Sequence, residues 1–265
     1  MARDHRVRRE PPTPVGSTAH WIAAVRARES ARPDRLFDDP YAAALAGELG
    51  LQVMQASEKA GGGRNEFIPV RVRWFDDLVE GQAAAGIRQV VLLGAGLDTR
   101  AYRLDLPAGL RWYELDQPEV LQRKEPVLRR AVPRCERVVL PVDLAGDWLP
   151  ALLGTGFEVG AATLWLAEGL LVYLGEDDVL RLLRTAAGHC GPGSRFAADV
   201  FGATALRARV HSSVIRFGSD DPAGLLQDGG WRPERVDVVG SPAANYGRLT
   251  GSVRVPGGFL VVGAR

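Results

Sequence analysis

The segment Val90-Val91-Leu92-Leu93-Gly94-Ala95-Gly96-Leu97-Asp98-Thr99-Arg100 constrains this chain more than any other. An apolar run of strand length ends in Gly-Ala-Gly, and helix-start residues follow at once. A strand, a bare turn and a helix in that order deliver backbone to a nucleotide at the carboxyl edge of a sheet. A dinucleotide fingerprint places a third glycine where this chain has Thr99, preceded by Asp98. The polar pair suits a ligand that combines a ribose with an amino acid rather than a pyrophosphate. S-adenosylmethionine is a ligand of that kind.

From Ile87 onward, short Val/Leu-rich runs alternate with helical segments. The runs are 90–93, 111–115, 138–142, 163–167, 195–200, 236–239 and 259–263. Such alternation predicts βαβ units and a doubly wound parallel sheet. The last two runs have no long helix between them, so an antiparallel last strand is expected. The class is therefore α/β, a seven-stranded Rossmann-like sheet. Ahead of it, residues 17–86 read as a helical cap over the 87–265 core. A helix from Ser17 carries Trp21, Ile22 and Val25 on one face and stops near Pro33. Asp39-Pro40 reads as the N-cap and first position of a second helix. Gly61-Gly62-Gly63 reads as a hinge or mobile loop. Glu66–Ala85 reads as a third helix with Phe67, Val70, Trp74 and Leu78 in one stripe. Residues 1–16, basic and proline-rich, read as a flexible arm.

Composition narrows the function. A net charge of +1 over 265 residues gives no bulk electrostatic case for nucleic acid or membrane partners. The two cysteines, Cys135 and Cys190, make no disulfide framework, and a reducing cytoplasm is the simpler setting. The four histidines are scattered without ligand spacing, so no metal is expected. The start of the chain lacks the apolar segment of a signal peptide, and no run is long enough to span a bilayer.

Ligands of open α/β sheets sit at the carboxyl ends of the strands, so the residues there are the candidates. Gly94, Ala95 and Gly96 admit a ligand to the backbone amides, next to a helix N-terminus that favours a carboxylate. Asp116, about 20 residues on, is placed to accept from two ribose hydroxyls, or to cap the helix that begins at Pro118. It is preferred to Glu114 because it ends the strand. Asp143 suits the adenine amino group, with Leu144 on the ring, or else a solvent turn. Glu168 emerges from an apolar strand and needs a cation, such as a ligand amine. Tyr173 either points a hydroxyl at a methyl acceptor or packs. Arg71 and Arg73 fall on different helix faces, so at most one reaches the ligand, where its fork suits a carboxylate. His20 and His211 are candidate bases, and Arg207, Arg209, His211 and Arg216 could draw an acidic substrate.

Five ordered segments resemble the leucine carboxyl methyltransferase family, particularly its bacterial branch of tetracenomycin-type polyketide O-methyltransferases. They are Arg35–Tyr41, Arg71–Asp77, Leu93–Arg100, Tyr113–Pro118 and Ala167–Leu174. The resemblance spans roughly residues 17–265 and implies a class I methyltransferase fold. It implies that Arg71 binds the methionine carboxylate and that Gly94 and Gly96 pass the ligand edge. It gives Asp116 the ribose, Asp143 and Leu144 the adenine, and Glu168 the methionine amino group. Tyr173 is placed on the acceptor side. The chain departs from the pattern at Thr18-Ala19-His20-Trp21, where some members have a lysine, and over 201–224, which usually covers the acceptor.

The expected function is S-adenosylmethionine-dependent methylation, yielding S-adenosylhomocysteine, at a carboxylate or hydroxyl oxygen of a small natural product such as a polyketide-type metabolite. A small acceptor, acidic where a carboxylate is the group methylated, is the expected partner. A carboxylate needs no strong general base, so alignment and water exclusion would carry catalysis. N- or C-methylation of a peptide or heterocycle stands as the rival enzyme reading. A non-catalytic sensor of the cofactor is the rival from another class, and a nicotinamide dehydrogenase is disfavoured by the missing third glycine.

Overall fold

In the computed structural model, residues 14–203, 215–249 and 258–265 are described. The basic arm over 1–13 and the candidates Arg207, Arg209 and His211 lie outside them. Three helices come first, α1 (Pro14–Ser30), α2 (Ala42–Gly61) and α3 (Phe67–Ala84). Then follow β1 (Gln89–Leu93), α4 (Arg100–Arg103), β2 (Arg111–Asp116), α5 (Pro118–Leu128), β3 (Glu136–Pro141), α6 (Leu149–Leu153) and β4 (Thr163–Ala167). A 3-10 turn, Leu171–Tyr173, leads to α7 (Glu176–Gly188) and β5 (Arg195–Phe201), then α8 (Pro222–Asp228), β6 (Arg232–Val238), a second 3-10 turn (Pro242–Ala244) and β7 (Gly258–Ala264).

The strands form one seven-stranded sheet in the order β3-β2-β1-β4-β5-β7-β6. Pairing is parallel from β3 through β5, and β7 enters antiparallel between β5 and β6. The period-two alternation of strand side chains splits the core into two. Val90, Leu92, Trp112, Leu164 and Leu166 face a cluster shared with α1–α3. Val91, Leu93, Tyr113, Leu115 and Trp165 face a second cluster built with α6–α8. Strands buried on both faces read as continuous apolar runs, which is why β1 and β4 are legible. The front of β6 is not: Arg232-Pro233-Glu234 is charged and carries a proline, both suited to the sheet edge that β6 occupies.

Three local expectations change. The first helix begins at Pro14, earlier than its apolar stripe. Asp39 does not cap α2, which starts at Ala42 behind Tyr41. It is 3 % exposed, accepts from the Tyr41 amide, and receives Arg26 Nε at 2.9 Å and Thr99 Oγ1 at 2.8 Å. The glycine run closes α2, with Gly62 in the left-handed region and its amide bonded to the Glu58 carbonyl, so it is a helix terminus rather than a free hinge.

Candidate active site

Sheet order reverses at β1, which pairs with β2 on one side and β4 on the other, and a crevice opens at that switch point. A cavity of about 340 Å³ fills it. Arg71, Gly94, Ala95, Gly96, Asp116, Asp143, Leu144, Glu168 and Tyr173, the residues singled out from the sequence, all line this cavity. Helix α1 adds Thr18, Ala19, Ile22 and Arg26 to its wall.

The turn after β1 differs from expectation in one respect. The Gly94 and Ala95 amides both donate to the Leu115 carbonyl, at 2.9 and 3.0 Å, and the Gly96 amide donates to Asp116 Oδ2 at 2.5 Å. These N–H groups are therefore spent on β2 and do not face a ligand. Nor does a substantial helix follow, because α4 is four residues long. What the turn offers is shape. Gly94 has φ +68° and would bring a Cβ to 2.9 Å from Leu170, while a Cβ on Gly96, φ +50°, finds no atom nearer than 3.9 Å. The Asp98-Thr99 pair also does different work. Thr99 is buried against Asp39, and Asp98 accepts from Arg100 Nη1 at 2.5 Å. Thr99 fastens the turn to the segment between α1 and α2, and Asp98 ties it to Arg100, whose Nε donates to Asp76 of α3 at 2.7 Å.

Asp116 is held with one oxygen on the Gly96 amide and the other on the Gln117 amide at 2.6 Å. Burial raises its pKa against those two donors. Each oxygen keeps a lone pair for a further donor. Gln117, not Asp116, is the N-cap of α5. Glu114, the alternative, is fully buried and takes Lys124 at 2.6 Å and Arg137 at 2.7 Å. Asp143 is exposed and accepts the Ala145 amide at 3.0 Å, a turn interaction, while still lining the cavity beside buried Leu144.

Glu168 and Arg71 meet. Arg71 Nε donates to Glu168 Oε1 at 3.0 Å, and its Nη1 donates to Asp199 Oδ2 at 3.0 Å. Glu168 Oε2 takes Arg100 Nη1 at 2.7 Å. Burial would push the Glu168 carboxyl up, but Arg100 and Arg71 outweigh it and hold it below the ordinary range. Arg73 turns away to Asp77 at 2.8 Å, as the helix faces require. Gly169, φ +65°, lies so close to Arg71 that a Cβ there would stand 3.2 Å from Nη1. Tyr173 is near enough to help raise the Arg71 pKa.

Four residues of this site escaped the sequence reading. Arg100, 1 % exposed, joins Glu168, Asp98 and Asp76, and Asp76 also takes Arg103 through two 2.7 Å bonds. Asp199, 3 % exposed, accepts from both Arg71 and the Gly169 amide, the latter at 2.5 Å. Asp199 did have a signal, a carboxylate breaking the apolar run of β5 near its carboxyl end. The others show only as charges on helices or turns. Of the remaining candidates, His20 binds the Leu45 carbonyl through Nδ1 at 2.8 Å and does not line the cavity, while Arg216 is exposed and does. A second cavity of about 290 Å³ shares Thr18, Ile22, Arg71, Gly169 and Tyr173 with the first.

The profile of the leucine carboxyl methyltransferase family matches residues 19–187. A protein of Frankia alni, named as a candidate S-adenosyl-L-methionine-dependent methyltransferase, is 42 % identical over 278 residues, covering 97 % of this chain and 96 % of its own. Among solved structures, a DUF574 family protein of Streptomyces avermitilis superposes with a TM-score of 0.67 at 14 % identity, covering 94 % of this chain and 97 % of its own. The CcbJ methyltransferase of Streptomyces caelestis does so with a TM-score of 0.53 at 14 % identity, covering 74 % and 95 %. The structural likenesses concern the fold, that of class I methyltransferases.

Proposed function

Because the chain belongs to the leucine carboxyl methyltransferase family and is an S-adenosylmethionine-dependent methyltransferase, we propose that it methylates an oxygen, foremost a carboxylate oxygen, of a small natural product. The observation that supports the cofactor side of this reading is the Arg71–Glu168 pair on the cavity wall, and the acceptor side rests on the make-up of that wall. A free amino acid is a zwitterion, and a fixed cation–anion pair is its electrostatic complement. Arg71 has committed Nε and one Nη1 hydrogen, which leaves donors for a carboxylate; each Glu168 oxygen has a lone pair left for an ammonium group. Asp116 adds acceptors for a ribose diol, Leu144 an apolar face for adenine and Asp143 an acceptor at its edge. Gly96 leaves free the space a side chain would take. The donor set fits S-adenosylmethionine, which when bound supplies an electrophilic sulfonium methyl.

With the cofactor held by Arg71, Glu168 and Asp116, the task left to the chain would be to hold an acceptor oxygen in line with the activated methyl. A carboxylate acceptor gives a neutral ester and transfers no proton. Among the described residues no histidine lines the cavity, and its carboxylates are held by arginines or backbone amides. That environment suits an acceptor already ionised at neutral pH, with rate gained from alignment and exclusion of water.

The test is transfer of a trideuteromethyl label from the cofactor to a metabolite extract, read by mass spectrometry, followed by mild alkali. Labelled products that lose the label in alkali are methyl esters and support the reading. Label stable to alkali means an ether, N- or C-methyl product and overturns the carboxylate assignment. Tight S-adenosylhomocysteine binding without any transfer overturns it in favour of a sensor.

A further inference from the structure

A buried charge cluster with no part in the methyl transfer described above lies next to Asp116. Its centre is the ion pair of Glu114 and Lys124, both fully buried. Glu114 and Asp116 are two positions apart in β2, so their side chains leave the same face of the sheet. On α5, Val120 lines the cofactor cavity, and Lys124 follows it by one turn on the same helix face. Lys124 Nζ donates to Glu114 Oε2 at 2.6 Å, and Arg137 of β3 donates to the same oxygen at 2.7 Å. Arg137 also reaches Glu125 at 2.6 Å.

Two features separate this cluster from plain fastening. Both donors crowd onto Oε2, while Oε1 is buried without a hydrogen-bond partner among the described residues. A cluster built only to join β2, α5 and β3 would use both oxygens, since an orphaned buried acceptor is costly. The second feature is charge. The Glu125 side chain is 45 % exposed and screened by water, so the buried members, Glu114, Lys124 and Arg137, carry one excess positive charge. Asp116 supplies the carboxylate that balances it.

The other charges about Asp116 have their own partners or face water. Asp98, on the turn after β1, is paired with Arg100, and Asp143, beyond β3, is exposed at the same cavity. Arg26 and Arg103 on the cavity wall answer Asp39 and Asp76. Lys124 favours the ionised form of both Asp98 and Asp116. Cys135 and Tyr102 adjoin Glu114, and burial pushes both up to about 12, so neither titrates where Asp116 does.

We propose that Lys124 is a positioning residue for the cofactor: it cancels the charge of Glu114 next to Asp116 and so keeps the Asp116 carboxylate ionised for the ribose hydroxyls. This rests on Asp116 holding the ribose. Two carboxylates on neighbouring same-face positions repel, and without a nearby cation the less buried one takes up a proton first. A protonated Asp116 keeps its place but donates through one oxygen where it should accept.

The experiment is calorimetry of S-adenosylhomocysteine binding from about pH 4 to 8. It uses the full chain, its Glu114→Gln and Lys124→Met variants, and each of these combined with Asp116→Asn. The glutamine keeps an acceptor for Lys124 and Arg137, because both use one oxygen, and removes the charge. The proposal expects opposite shifts. In Glu114→Gln the pH at which affinity falls drops by at least about half a unit, and in Lys124→Met it climbs by at least as much. On the Asp116→Asn background neither change moves the profile. Shifts of the same sign, no shift in Glu114→Gln, or shifts that persist on the Asp116→Asn background each overturn it, since a fastening role weakens binding alike at every pH. Should thermal unfolding show that Lys124→Met does not fold, Glu114→Gln decides alone. If Asp116→Asn by itself binds as the parent does at every pH, the ribose reading falls, an outcome separate from a failure of Lys124 and Glu114 to move the profile.

Discussion

Asp199→Asn is the substitution that most directly probes how the site is held. Asp199 is 3 % exposed and joins Arg71 Nη1 at 3.0 Å with one oxygen and the Gly169 amide at 2.5 Å with the other. The amide side chain keeps the shape and an acceptor for Gly169, but it turns an NH2 donor toward Arg71, so both the charge and the hydrogen bond to Arg71 are lost. Stripping a buried ion of its partner costs about 3–5 kcal/mol. Arg71 retains Glu168 as a second partner, so about half of that, roughly 2 kcal/mol, is expected. For a chain of this size the shift in Tm is roughly 4–8 °C. Asp199→Ala also strands the Gly169 N–H and costs roughly 1–3 kcal/mol more. Urea unfolding at neutral pH measures both, and a cycle with Arg71→Met isolates the pair. The coupling should be about 2 kcal/mol. If Asp199→Asn lies within about 0.5 kcal/mol of the parent, or the two changes simply add, Asp199 does not hold Arg71 and the reasoning fails.

Other consequences are open to measurement. Asp116→Ala should weaken S-adenosylhomocysteine binding by about 2–3 kcal/mol, since it removes an ionised acceptor of two hydrogen bonds, and calorimetry showing unchanged affinity rejects the ribose assignment. The raised pKa of Asp116 means that it loses its charge at a pH above the ordinary carboxylate value as solutions are acidified, so affinity should begin to fall there; a binding profile identical in Asp116→Asn contradicts this. Glu168 has the opposite sign. Its lowered pKa adds stability above the ordinary glutamate value that is lost as pH falls through the folded value, and Glu168→Gln should flatten that part of an acid-unfolding curve. Tyr173→Phe should leave S-adenosylhomocysteine affinity intact and lower turnover, and unchanged turnover would make Tyr173 a packing residue.

The sheet was legible because burial on both faces writes itself into sequence. The apolar runs at β1, β4 and β5 carry their own boundaries, and the lack of a long helix before the final run points to the antiparallel β7. The switch-point rule then placed Asp116, Asp143 and Glu168 on one cavity from strand ends alone. What stayed hidden was partnership. The sequence gives no reason for Arg71 and Glu168, 97 positions apart, to bond each other, or for Asp39 to leave its helix for Arg26 and Thr99. Such pairs depend on how helices lie across the sheet, and local pattern carries no record of that. The β1 turn misled for a related reason. Its glycines point to amides bared to a ligand, but a turn at the switch point also has a neighbouring strand, and the Leu115 carbonyl takes two of those amides.

That hidden layer explains why the cavity wall can be charged and still ordered. Arg71, Glu168, Arg100 and Asp98 line the cavity, and with Asp199 and Asp76 behind them they form ion pairs at 2.5–3.0 Å. Buried charges that are fully paired resist reorientation, because any movement exposes one member without a partner. Donors and acceptors fixed before a ligand arrives do not have to be ordered or stripped of water when it binds. The ion-pair layer is thus the means by which α3, which precedes the sheet in sequence, sets the geometry at the strand ends. It follows that substitutions in α3 at Asp76, which lines neither cavity, should disturb the same binding step as those at Glu168, because Asp76 reaches it through Arg100.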